Sequence, residues 1–240
     1  MTSKSGISLP RTSPAALTER PNVLRPVPWG RVGWFVLAVV VGMQIGPIAI
    51  PLGHTVDRTR WADWLDLTVP YLVLGLAAWV LRGLTARRSS WVLLAVGGVV
   101  FTQGHGLHLA ANSVGNVAPS PTEHLWDEVV GHYIWYAGLA LVIFAIARDL
   151  APRALPTGRS LGLAYLAAAA LGVTVFDNLD EGGTVLAGSF MVAAFVGYGW
   201  RFRATSGRLL LVAYGMTGLA LTGWGIYWGG WPQFSQLGWI

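Results

Sequence analysis

The chain has 240 residues, of which 54% are hydrophobic and only 11% charged, against about 25% charged in an ordinary soluble domain, so the composition excludes a typical soluble protein. The formal net charge of +5 is spread in a way that describes membrane topology rather than a nucleic-acid footprint. Cysteine is absent, which excludes disulfides, thiolate metal sites, cysteine-held iron–sulfur clusters and covalently attached c-type haem.

Residues 1–31 are polar and interrupted by Pro10, Pro14, Pro21, Pro26 and Pro28, the pattern of a disordered tail. The apolar run that follows is too long for a signal-peptide core and has no clear small-residue cleavage site, so it is expected to stay as a helix. Seven apolar segments come in succession at 32–52, 67–84, 91–112, 128–147, 160–177, 185–202 and 209–228. Each is near the roughly 20 residues that a spanning helix needs. The expected fold is therefore all-α, a polytopic bundle of seven transmembrane helices over 32–228, with 229–240 as an interfacial segment. Small residues such as Ala167 to Ala170, Gly215, Gly218 and Gly223 let such helices approach closely.

The basic residues orient this bundle. Assigning alternate connections to one side gathers every lysine and arginine there except Arg58 and Arg60. The positive-inside rule then puts the N-terminus in the cytoplasm and the C-terminus outside, in the plasma membrane. The acids show the inverse pattern, with only Glu19 and Asp149 on the basic side and all five histidines on the other. Trp61, Trp64, Trp126, Trp224, Trp228, Trp231 and Trp239 group toward the outer interface, and Trp29, Trp34, Trp91 and Trp200 toward the inner one. They read as aromatic belts; the run from Trp224 to Trp239 also has the composition of a lid.

Residues 101–136 hold four of the five histidines. At 1.5 Å per residue, His105 and His108 lie about 21 and 26 Å above Trp91, in the outer part of the bilayer. His105, His108 and Asn112 share one helix face. His132 falls about 6 Å below the start of the next segment, and Asp177 reaches about the depth of His108. If helix begins a turn early, His124, Glu128 and His132 also share a face. Ionisable groups at this depth are costly and mark a functional site by default. Imidazoles beside carboxylates suit a divalent transition metal, zinc or iron. The expected ligands are His105, His108 and His132, completed by Asp177 or Glu128, with Glu128 or Glu181 as general base. Three protein ligands and a water would lower the water's pKa to about 7.

This pattern of helix count and three histidines plus an aspartate near one membrane face resembles the seven-helix zinc amidohydrolases of the alkaline ceramidase and adiponectin-receptor type. It departs from them in one respect: they take a histidine pair from the last helix, and 209–228 contains no histidine. The family's substrates are therefore not carried over. A retinal protein is excluded, because its Schiff base needs a lysine in the last helix and the single lysine is Lys4. Three readings stand on the residues. The first is a metal-dependent hydrolase acting on a lipid-like substrate from the outer leaflet. The second is a redox protein holding haem b between His105 or His108 and His132. The third is a cation transporter or a non-catalytic subunit of a membrane complex. The transporter is weakened by the apolar inner half of the third segment, WVLLAVGGVV, which offers no polar relay. Membrane lipid is the expected partner, with partner subunits or a homo-oligomer open and no nucleic acid.

Overall fold

A computed structural model describes residues 26–239; the tail expected at 1–31 lies largely outside them. Among the described residues the chain is helical, with no strand and one isolated bridge between His54 and Arg60. Five helices are long and apolar enough to cross a membrane, or six if one bent pair counts as a single span. Leu72, Val99, Leu163, Phe190, Leu219 and Ile226 point outward. In water these exposed apolar side chains would be a liability; in lipid they are at home.

The bent pair is the first departure from the sequence reading, which took 32–52 as one helix. Helix α1 (Trp29–Gly42) and α2 (Ile45–Ala49), with a tight turn at Ile50–Leu52, meet at an angle of 64°. Pro47 explains the break. Its ring collides with the carbonyl four residues back, at Met43, and it has no N–H to donate there.

A second proline shapes the next span. Helices α3 (Trp61–Asp66) and α4 (Val69–Leu84) run on as a 24-residue span, Trp61–Leu84, that starts well before the expected residue 67. Pro70 cannot donate to the carbonyl of Asp66, so that oxygen is left for another partner. Helix α5 (Arg88–Gly115) follows. Then α6 (Pro121–His124), a π-helical turn at Leu125–Gly131 and α7 (His132–Leu150) form a second long span, Pro121–Leu150. Its start is fixed by a capping box in which the Ser120 hydroxyl accepts from the Glu123 amide at 3.1 Å. Helices α8 (Arg159–Glu181), α9 (Val185–Arg201) and α10 (Gly207–Trp228) complete the bundle. At 17 residues α9 is the shortest of the apolar helices that stand alone.

Helices α5 and α7 form the most extensive contact in the molecule, and glycine makes it possible. Gly131 lies against the backbone of His108, Gly104 against that of Trp135, Gly138 against that of Phe101, and Gly97 against Gly138 and Val142. Every step of three or four residues along α7 is matched by the same step back along α5. The two helices are therefore antiparallel, in one fixed register, with backbones touching. In lipid, association draws on packing rather than on hydrophobic burial, so small residues at the seam are what bring helices together.

The arginine-rich end is held by a buried acid. Asp149 Oδ2 accepts from the Ser90 hydroxyl at 2.5 Å and from the Arg87 amide at 3.3 Å, and Arg87 Nε lies 3.3 Å from Oδ1. The carboxylate of α7 thus takes one backbone N–H, that of Arg87, at the positive end of α5. Arg153 adds a link from its Nη2 to the Leu84 carbonyl at 2.6 Å, tying α4 to the same corner.

Candidate functional site

At the other end of the bundle α5 and α7 bring three histidines around Trp135, with Asp66 of α3 beside them. The ring centroids of His105, His108 and His132 lie 4.6, 5.2 and 5.7 Å from that indole. The glycine seam sets this arrangement, since Gly104 and Gly131 are the contact points nearest the three rings.

Each histidine has found its own acid. His105, fully buried, donates Nε2–H to the Asp66 carbonyl at 3.0 Å and lies 3.2 Å from Asp66 Oδ1. This carbonyl is the oxygen that Pro70 leaves without an intrahelical donor. His108 Nδ1 lies 2.5 Å from Asp127 Oδ1, off the axis that an aligned hydrogen bond requires. His132 Nδ1 is 3.1 Å from the Glu128 carbonyl and 3.4 Å from Glu128 Oε2. The π-helical turn makes the last two pairings compatible. Its wider period lets Asp127 and His132, five residues apart, both turn inward, whereas a regular helix would bring residue 131 under residue 127.

The sequence reading names Glu128 and His132 for the site; the structure adds Asp127, five residues before His132. The same reading misses Asp66 altogether, although Asp63 and Asp66 both lie on α3, three residues apart. Asp63 is also engaged, through Arg60 at 2.8 Å and the Ser113 hydroxyl at 3.1 Å.

The remaining expected members are held elsewhere. Asp177 Oδ2 accepts from Gln44 Nε2 at 2.7 Å, so its partner is the side chain at the α1–α2 break rather than an imidazole. Glu181 accepts the Ser235 amide on Oε2 at 3.1 Å and the Gln233 side chain on its carbonyl at 2.5 Å. It anchors residues 229–239, which fold back so that Phe234 and Trp239 pack on Trp224. Asp180 is buried beside the Trp224 side chain. His54 and His124 are exposed. Helix α8 reaches the histidines by a different route: the Tyr136 hydroxyl donates to the Asn178 carbonyl at 2.9 Å, and the Tyr136 ring stacks on His132 at 5.5 Å.

The fit to a metal is decided by the nitrogen atoms. His105 uses Nε2 on Asp66, and its Nδ1 is buried without a hydrogen-bond partner. In His108 and His132 the acid partner stands at Nδ1, and no hydrogen bond engages either Nε2. The two rings lie 4.5 Å apart at an angle of only 32°. Among the described residues no group of three or more histidines and carboxylates is arranged to hold a metal ion. Haem ligation by this pair would need the rings to part, because the macrocycle must sit between them. As it stands, the arrangement is one of separate His–carboxylate pairs, able to hold and pass protons. Comparisons with protein families, with curated proteins and with solved structures find no match, so the functional reading rests on this geometry.

Proposed function

We propose that the chain is a plasma-membrane protein in which His108–Asp127 and His132–Glu128 act as general acid–base pairs, and that its reaction is hydrolysis of an amphipathic, lipid-like substrate entering from the outer leaflet. The observation that carries the reading is the pairing itself. Two imidazoles 4.5 Å apart each have a carboxylate at Nδ1 and a free Nε2. A carboxylate at Nδ1 fixes the tautomer and raises the basicity of the opposite nitrogen, which is what a general base requires. Glu128 is partly exposed, so water has access to the pair. In this reading α9 is a seventh crossing, and the arginine-rich ends face the cytoplasm.

The test is turnover of a fluorogenic long-chain ester and an N-acyl amide by the protein in lipid nanodiscs. General acid–base catalysis contributes about 10²–10⁴-fold, so His108→Ala and His132→Ala should lower turnover by that factor. Turnover unchanged in both variants would sink the proposal.

A second reading is favoured by one feature. A carboxylate or carbonyl at Nδ1 with a free Nε2 is also how metal-bound imidazoles are oriented. A divalent metal on His108 and His132 Nε2 would require a further ligand to join them, since no third histidine or carboxylate is arranged with them among the described residues. Elemental analysis of the purified protein separates the two readings: stoichiometric metal lost in His132→Ala favours the second.

A further inference from the structure

At the end of the bundle remote from the histidines, helices α1, α7, α8 and α10 enclose a cavity of about 280 Å³. Its floor is made of buried apolar side chains, among them Phe35, Ile146, Leu171 and Ala213. Its mouth lies between α1 and α8, where Gly30, Gly33 and Leu163 are exposed. Ser160 is the one hydroxyl on its wall, and it stands at the arginine-rich rim. None of these residues belongs to the acid–base cluster.

We infer that this cavity holds one acyl chain of an anionic phospholipid, with the headgroup against Arg159 and Arg208. The lining selects hydrocarbon, because a polar occupant would leave its hydrogen-bonding groups unmet there. The volume falls just under the range of about 300–1,000 Å³ typical of small-molecule sites, which suits a single chain rather than a whole lipid. Charge selects the headgroup. Arg159 precedes Ser160 and Arg208 precedes Leu209 in the lining, and both arginines are exposed. The nearest acid along these helix ends, Asp149, is already engaged by Ser90 and Arg87. Basic groups beside an apolar cleft between helices are a recognised setting for anionic lipid. A second copy of the chain fits less well, since a symmetric pair would bring the same arginines together.

The glycines at the mouth provide the test. A side chain at Gly30 or Gly33 meets nothing within 4 Å, so Gly33→Leu fills the cleft without disturbing the fold, and Gly30→Leu is an independent second plug. Gly75→Leu, equally free of neighbours and outside the cavity lining, is the control. The probe is native mass spectrometry, with thermal unfolding alongside, of protein exchanged into mixed vesicles of phosphatidylglycerol and phosphatidylcholine. The wild type and Gly75→Leu should retain one phosphatidylglycerol in preference to phosphatidylcholine. Both plugs should lower retention at least tenfold with unchanged melting temperature. The double variant Arg159→Gln/Arg208→Gln should keep a bound lipid but lose the preference. Retention in the plugs equal to wild type, equal uptake of the two lipids by wild type, or a dimer that the plugs dissociate would each overturn the inference.

Discussion

Gly138 of α7 rests on the peptide backbone of Phe101 in α5 so closely that a single methyl group at 138 would overlap the Phe101 nitrogen. The same holds for Gly104 against Trp135. These two contacts set the distance between the helices that carry His105, His108 and His132, so the histidine cluster depends on residues with no side chain at all.

Gly138→Ala and Gly104→Ala should therefore destabilise the protein, because the added carbon meets backbone, which cannot swing aside. Overpacking of this kind costs about 1–3 kcal/mol or more. Gly106→Ala, on the same helix and with nothing within 4 Å of the new atom, should be neutral or slightly stabilising. Thermal unfolding in detergent measures all three, and equal melting temperatures would refute the seam.

At the arginine-rich end, Asp149→Ala removes the acceptor of the Ser90 hydroxyl and the Arg87 amide. Leaving buried donors unmet costs about 1–3 kcal/mol. Asp149→Asn keeps an acceptor oxygen and loses the charge, so it should fall between wild type and Asp149→Ala in the same unfolding assay.

Tyr136 joins the histidine cluster to α8. Tyr136→Phe retains the ring that stacks on His132 but deletes the bond to the Asn178 carbonyl, with an expected cost of about 0.5–1.5 kcal/mol. A side chain at Gly182 would come within 2.9 Å of the Tyr136 hydroxyl and 3.2 Å of His132 Nδ1. Gly182→Ala should therefore shift the His132 ring resonances in a ¹⁵N spectrum, while His105, which is not among the groups nearest residue 182, keeps its own.

Residues 229–239 are pinned at Glu181. Glu181→Ala should speed hydrogen exchange at the Ser235 amide, which loses its carboxylate partner, by on the order of tenfold. Exchange within α5 should be unchanged. The Gln233 bond to the Glu181 carbonyl survives this substitution, so the segment should loosen rather than detach.

Much of the architecture was legible in the sequence. The long apolar runs and scarce charge predict membrane helices because uncompensated polar groups are costly in hydrocarbon, and each expected segment is helical over most of its length, with five, or six counting the bent pair, long and apolar enough to cross a membrane. What differs is local. Pro47 bends the first segment, and the third and fourth helices run beyond their expected ends. Hydropathy averages over about twenty residues and cannot register a single missing N–H.

The site was legible as a set of residue types at one depth. His105, His108 and His132 all pack on Trp135, and the rings of His108 and His132 lie against each other. Their pairings were not legible. Asp66 was overlooked because its role depends on Pro70 freeing a carbonyl and on α3 lying beside α5. Asp127 joins His108 because the π-helical turn brings it inward together with His132, which regular helical spacing does not register. Asp177 and Glu181 have the right depth, but Gln44 and residues 233–235 reach them first.

By itself, then, the sequence determined that this protein lives in a membrane and carries its imidazoles and most of its acids toward one end. Both are properties of each helix singly, set by the cost of placing polar groups in hydrocarbon. Only the tertiary structure decided which acid stands at which nitrogen of which histidine. That is a matter of ångströms between helices, set by where glycine lets two backbones touch and by the turn that rotates Asp127 inward.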